Sequence, residues 1–159
     1  MKESIRSQPT APKTIRMRII LATCSLLLLG TGARAEVLIA ASEAAQPPSS
    51  DGPMKLRGIT RGPSIDQILP SPTITVHSPF EFKIKFIAHN DTTIDPAAVK
   101  VIYEKERAID LTDRLRKYIS SDGIDMPDAE VPPGTHMLRV ELKDSLGRQS
   151  VNEVKLLVQ

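Results

Sequence analysis

Three histidines are the residues of this chain best suited to catalysis or metal binding. His77 precedes a predicted strand and His89 ends it, so at about 3.3 Å per residue they lie tens of ångströms apart and cannot share a metal ion. The sequence contains no glycine-rich phosphate loop, GxSxG elbow or HExxH motif. We therefore predict that the protein is not an enzyme and has no catalytic residues, cofactor or metal ligands. A small hydrolase, with His136 beside a serine and an aspartate, is the least favoured alternative.

The acidic segment SSDGIDMPDAE carries the other group of potential ligands. Its carboxylates are Asp122, Asp125, Asp128 and Glu130. Calcium binds several oxygens on a mobile loop, but this spacing lacks the alternation and the terminal Glu of an EF-hand. Met126-Pro127 also restricts how the chain can wrap an ion. We interpret the segment as a solvated loop, with Asp122-Gly123 as the exit turn of a preceding helix. A calcium-stabilised structural spacer is the alternative.

A short helix is predicted just before this loop, in DLTDRLRKYISS, over about residues 110–119. Asp110 can cap its first amides. The apolar residues fall on one face: Leu111, Leu115, Tyr118 and Ile119. A helix of about ten residues does not hold alone in water, so it must pack against the body. We interpret it as a crossover between two sheets.

The outer face of this helix is the predicted contact surface. Thr112, Asp113, Arg116 and Lys117 point away from the apolar face, and an anion-contacting role for Arg114, Arg116 and Lys117 is the alternative. The candidate partner-binding residues are Thr112, Arg114, Arg116, Lys117 and Asp125. We add the loops Asn90–Pro96 and Asp122–Pro133, because loops held by a rigid body commonly carry recognition.

Four segments alternate apolar and polar residues with the period of two that is typical of strands. FEFKIKFIAH places all three phenylalanines on one face, and AVKVIYEK, MLRVELKD and NEVKLLV repeat the pattern. The weaker runs SIDQIL and TITVHS flank Pro70 and Pro72, which favours an edge strand broken by proline. Gly134 and Gly147 are predicted to take turn positions with positive φ. Clean one-face alternation predicts an all-β, antiparallel sandwich.

The N-terminus has the three parts of a secretory signal. Lys13, Arg16 and Arg18 precede an apolar run, Ile19–Leu29, and Ala33-Arg34-Ala35 is a small-x-small cleavage site. The run is shorter than the roughly 20 apolar residues that span a bilayer, so no membrane span is expected after cleavage. We predict a signal peptide over residues 1–35 and a periplasmic or secreted protein.

Cleavage after Ala35 changes the composition. It removes the only cysteine, Cys24, which excludes disulfides, thiol catalysis and thiolate metal sites from the exported protein. The leader holds six of the 21 basic residues and one of the 19 acidic residues, which leaves 15 basic and 18 acidic residues and a net charge of −3. Nucleic-acid binding therefore loses its electrostatic basis.

Residues 36–63 are predicted to be a flexible linker, because AASEAAQPPSSDGP is rich in Ala, Ser and Pro. The folded domain is predicted to span residues 64–159.

The segment VPPGTHMLRVELKDSLGRQSVNEVKLLV resembles the final hairpin of bacterial immunoglobulin-like domains. In that pattern a Pro/Gly turn precedes an alternating strand, an Asp and Gly connection, and the last strand. The chain departs from antibody domains because it lacks the buried Cys pair and the Trp, and it adds a helix. The resemblance implies an immunoglobulin-like sandwich, a fold whose members mostly bind, space or adhere.

These observations predict an exported, non-enzymatic binding or accessory module of the cell envelope. Only five aromatic residues are available for stacking on sugars, so a protein partner is favoured over a glycan. The sequence leaves the oligomeric state open.

Overall fold

A computed structural model describes residues 35–50 and 62–159. The predicted signal peptide, up to Arg34, lies outside the described residues. Within them no helix is long and apolar enough to cross a membrane.

Ten strands in the described residues form two sheets. In chain order they are β1 (Glu36–Val37), β2 (Ser64–Leu69), β3 (Thr75–Val76), β4 (Phe80–Ile87), β5 (Lys100–Tyr103), β6 (Ile109–Asp110), β7 (Ile119–Ser120), β8 (Gly123–Glu130), β9 (Gly134–Lys143) and β10 (Gln149–Val158). The first sheet has the order β1-β8-β4-β2, with β7 also paired to β8, and the second has the order β3-β10-β9-β5-β6. All pairs are antiparallel except β1–β8 and β3–β10. The predicted all-β class is confirmed.

Within the part of the chain that the structure describes, helical structure is confined to short pieces. They are α1 (Ala41–Ala44), α2 (Thr112–Leu115) and the 3-10 helices Pro96–Ala98 and Arg116–Tyr118. The predicted helix is therefore present but shorter than expected, because its last turn tightens to 3-10 geometry and Ile119 already enters β7. Leu111 and Leu115 are fully buried and Tyr118 and Ile119 pack against the core, as the apolar face predicts.

In the described residues one hydrophobic core takes side chains from both sheets, and the four alternating strands supply half of its buried side chains. Phe82, Ile84 and Phe86 of β4 are buried, and Phe80 packs beside them. The other three predicted strands contribute Val101, Tyr103, Leu138, Val140, Leu142, Val154, Leu156 and Val158. The predicted inward faces are confirmed, because period-two alternation allows one buried side chain per two residues.

The two weaker runs form edge strands, but they belong to different sheets instead of one edge strand broken by proline. β2 ends the first sheet and β3 ends the second, and Pro70 and Pro72 lie in the connection between them. The predicted positive φ angles are also present at Gly134 (141°) and Gly147 (76°). Buried Asp144 holds the β9–β10 loop, because its carboxylate accepts hydrogen bonds from the Leu146 and Arg148 amides at 3.0 and 2.9 Å.

The predicted linker is wrong for residues 36–50. β1 pairs with β8, and the next two side chains, Leu38 and Ile39, are 0% and 1% exposed in the core. The Ala, Ser and Pro composition of the following residues conceals this apolar pair. The remaining part of the predicted linker, residues 51–61, lies outside the described residues.

The acidic segment is a strand rather than a solvated loop. Ile124 and Met126 of β8 are fully buried, and Asp125 between them is exposed. Pro127 is tolerated because β8 carries an extra residue there: Phe80 and Phe82 of β4 face Ala129 and Met126.

Gly123 turns the chain between β7 and β8 instead of ending the helix. Its φ is +151°, and a Cβ would lie 2.0 Å from the carbonyl oxygen of Ile84. Only glycine fits this close approach of two backbones.

Candidate functional site

Thr112 does not point to solvent as predicted. It is 4% exposed, and its hydroxyl accepts a hydrogen bond from the Val101 amide at 3.0 Å. Its own amide donates to the Asp110 carboxylate at 2.8 Å. The threonine is buried because it satisfies the backbone of β5, so it cannot present a hydroxyl to a partner.

Arg114 and Lys117 already contact anions of the same chain. The guanidinium of Arg114 donates to both Glu43 oxygens, at 2.6 and 2.7 Å, and to the Leu38 carbonyl at 2.9 Å. The ammonium of Lys117 lies 2.5 Å from Glu36. Hydrogen bonds from Arg114 lower the pKa of Glu43, and those from Lys117 and Tyr118 lower the pKa of Glu36. The helix therefore clamps residues 36–43 against the body.

The last two predicted contact residues are exposed but lie apart from this clamp. Arg116 makes one long contact, 3.3 Å to the Pro96 carbonyl. Asp125 pairs with Lys83 across β4 and β8 at 2.7 Å. The described residues contain no group of three or more His, Cys, Asp or Glu side chains that could hold a metal ion. Because the acidic segment is a strand, the calcium alternative loses the loop that it required.

The surroundings of His136 do not match the hydrolase alternative, which requires a serine and an aspartate beside this ring. Its ring is 3% exposed, and its nitrogens lie 2.8 Å from the Tyr103 hydroxyl and 2.8 Å from the Pro132 carbonyl. The carbonyl must accept, so Nε2 carries the proton and Nδ1 accepts from the tyrosine. Burial lowers the pKa of His136, which keeps the ring neutral. The histidine links β5 and β9 within the core.

A polar groove lies where the edges of the two sheets meet, between β2 and β10. Its volume is about 390 Å³, and its walls come from three parts of the chain: residues 62–66, 89–90 and 150–152. Asp66 is the only carboxylate among the lining residues, and none of them is Lys or Arg. The groove therefore suits a polar ligand that is neutral or positively charged.

The sequence of β10 explains why this groove is polar. Its inward positions are apolar over Val154, Leu156 and Val158 but become Ser150 and Asn152 toward the groove. Asn152 spans the gap and donates to the Ile65 carbonyl at 2.8 Å. In this region a polar side chain therefore connects the two sheets by a hydrogen bond, whereas apolar side chains pack between them elsewhere.

Ser150 is the most unusual residue of the groove. It is 6% exposed, and its hydroxyl has no hydrogen-bond partner among the described residues. Gly62 packs against it so closely that a Cβ would lie 2.6 Å from the hydroxyl oxygen. Leaving a buried hydroxyl unpaired costs about 1–3 kcal/mol.

Ser64 and His89 form a hydrogen-bonded pair at the rim, with 2.8 Å between the serine hydroxyl and Nε2. The following residues, Asn90 and Asp91, have φ angles of 56° and 55°, a left-handed turn that suits Asn and Asp. This turn lies within the loop Asn90–Pro96 that the sequence marks for recognition, and Asn90 lines the groove.

The groove residues differ in how far the sequence could reveal them. Ser150 and Asn152 are polar at inward positions of a predicted strand, and this signal is readable. The Ser64–His89 contact joins positions 25 residues apart and has no local signature.

No protein-family model matches the chain, and no curated protein or solved structure matches it.

Proposed function

We propose that this chain is an exported, non-enzymatic, immunoglobulin-like binding module of the cell envelope that recognises a protein partner through the groove between β2 and β10. The observation that carries the proposal is the polar groove itself, which is lined by Ser150, a buried residue whose hydroxyl has no hydrogen-bond partner within residues 35–50 and 62–159. Two of the walls belong to β2 and β10, whose inward side chains Ile65 and Val154 are anchored in the core, so this part of the site is preorganised.

Three further features support this assignment. The predicted signal peptide supports export to the periplasm or to the medium. The two-sheet body and its final hairpin, β9 and β10, support an immunoglobulin-like sandwich. A protein partner is favoured over a glycan because no Phe, Tyr or Trp lines the groove, and sugar sites usually offer such a stacking surface.

Site-specific crosslinking in cells tests the proposal. A photo-crosslinking amino acid replaces Asp66 or Asn90 at the groove, and matched proteins carry it at Asp113 or Arg116 on α2 and the 3-10 helix after it. We expect one envelope protein to be captured from both groove positions and not from Asp113. Capture from Arg116 alone would assign recognition to the helix face and overturn the groove.

A small hydrolase is the second candidate, and the 2.8 Å contact between Ser64 and His89 favours it. In this case His89 would take the proton of the serine hydroxyl during attack. A fluorophosphonate probe distinguishes the two functions, because it loses fluoride as it bonds to an activated serine. Labelling that disappears in Ser64→Ala would establish Ser64 as a nucleophile. Absence of labelling would contradict the hydrolase and favour the binding module.

A further inference from the structure

Four of the five large hydrophobic side chains that are exposed in the described residues lie at one end of the domain. Between 39% and 57% of each is exposed, and they are Val37, Ile68, Leu69 and Ile74. The fifth, Leu146, lies in the loop before β10, whereas the β2–β3 connection leads to β3, which pairs with the end of β10. Exposed aliphatic residues are normally scattered singly, so a group at one end indicates a contact surface.

The strand register shows that these residues share one end. β2 runs antiparallel to β4, so after Leu69 the chain continues toward the start of β4 at Phe80. Phe80 pairs with Ala129, and the same alanine pairs with Glu36 of β1. Val37 and the β2–β3 connection therefore lie at the same end of the two sheets, which we call the N-terminal end.

Few charged residues interrupt the N-terminal end. Residues 67–80, which contain the whole β2–β3 connection, include no Asp, Glu, Lys or Arg, although 25% of the chain is charged. An apolar groove of about 770 Å³ lies beside β1. Nine of its twelve lining residues are Ala, Val, Ile or Pro, and Glu130 is the only charged one among them. Little ionic surface would therefore lose its hydration if this end were covered by an apolar medium.

The position of the predicted leader indicates what covers this end. Its apolar run ends at Leu29, and five residues separate that run from Ala35, which lines the apolar groove. Six extended steps span at most about 20 Å, so export brings this end close to the membrane that receives the leader. We propose that the N-terminal end docks on an electrically neutral lipid surface by burying its exposed aliphatic side chains. This inference goes beyond the proposed function and shares with it only the predicted export signal.

The charges at this end define the kind of lipid. Residues 67–80 and the lining of the apolar groove contain no Lys or Arg that could attract an anionic headgroup, and Glu130 would repel one. Binding at an interface then depends on the apolar area that is buried. The groove between β2 and β10 lies where both strands begin, at the opposite end. It would face away from the membrane and remain accessible to the protein partner.

A single tryptophan can report the docking, because the chain contains none. Protein purified after export carries Ile74→Trp at the N-terminal end or, as the matched control, Leu146→Trp at the opposite end. Each is mixed with phosphatidylcholine vesicles that contain brominated lipid, whose tails quench tryptophan fluorescence. We expect a blue shift and quenching for Ile74→Trp and no change for Leu146→Trp. Replacing part of the lipid with anionic phosphatidylglycerol should not strengthen binding.

Charge substitutions measure what the aliphatic side chain contributes. Cosedimentation with phosphatidylcholine vesicles gives the partition coefficient of each variant. Ile74→Glu should lower it about tenfold or more, because a carboxylate resists transfer into the apolar part of a bilayer. Leu146→Glu should leave it unchanged. Urea unfolding of both variants checks that these two exposed positions tolerate the charge.

Three results would overturn the lipid surface. Fluorescence of Ile74→Trp that vesicles do not change would exclude docking through this end, and equal quenching in both tryptophan variants would mean unspecific adsorption. A blue shift that appears without vesicles and grows with protein concentration would assign this end to contact with a second copy of the chain. The proposed function is tested separately, since capture of a partner from Asp66 and Asn90 does not depend on any of these outcomes.

Discussion

At the scale of single residues, two glycines with positive φ distinguish the free-energy cost of backbone strain from the cost of a steric clash. Gly123→Ala should lower the free energy of unfolding by about 3 kcal/mol or more, because its Cβ would meet the Ile84 carbonyl oxygen at 2.0 Å. Gly147→Ala has a φ of 76° and open space around the new methyl group, so it should cost only about 1–2 kcal/mol. Urea unfolding of the two variants measures both values. Equal losses would mean that the turn, and not the contact with β4, demands glycine.

His136 should make stability depend on pH. Burial lowers its pKa from 6.5, so the unfolded chain takes up a proton more readily than the folded protein. The contribution of neutral His136 to the free energy of unfolding is fully present above pH 6.5, and it is lost as the pH falls from 6.5 toward the pKa of His136 in the folded protein. The pKa of Glu43 is lowered from 4.5, so its contribution is lost only at more acidic pH. Urea unfolding between pH 4.5 and 7.5 should show this slope, and His136→Gln should remove it. A slope that persists in the variant would assign it to another group.

At the scale of elements, the clamp between α2 and the N-terminal segment replaces the predicted contact face. Arg114 binds both oxygens of Glu43, whose side chain is 16% exposed. A double-mutant cycle of Arg114→Ala and Glu43→Ala should give a coupling energy of about 1 kcal/mol. The matched control is Lys83 with Asp125, where the distance is also short but both side chains are largely exposed, so coupling should not be measurable. Equal coupling energies in both cycles would show that the pair between Arg114 and Glu43 stabilises the protein no more than an exposed pair does.

The elements that the sequence predicts correctly are those with a local pattern. Alternation identifies β4, β9 and β10, because each buries one face over many residues. The sequence does not predict β8, because Gly123, Pro127 and three carboxylates are typical of a turn. It is nevertheless a strand, since Ile124 and Met126 reach the core and a bulge accommodates the proline.

At the scale of the whole molecule, the groove between β2 and β10 could not be predicted because long-range contacts assemble it. Gln67 donates to the carbonyl of Lys155, 88 positions away, and no local period relates the two residues. Long-range contacts also limit the prediction of domain boundaries. A short apolar pair can be assigned to the core only when the sheets that cover it are known.

The N-terminal segment offers the clearest test at this scale. Leu38 and Ile39 are 0% and 1% exposed, and burying each is worth about 1.5–3 kcal/mol. A chain that begins at Gly62 should therefore lose about 3–6 kcal/mol relative to one that begins at Glu36, which is a large share of the roughly 5–15 kcal/mol that stabilises a typical domain. Urea unfolding measures the difference, and a synthetic peptide of residues 35–50 added in trans should restore part of it. Equal urea midpoints for the two chains would mean that residues 36–50 add no stability and behave as the flexible linker that their composition predicts.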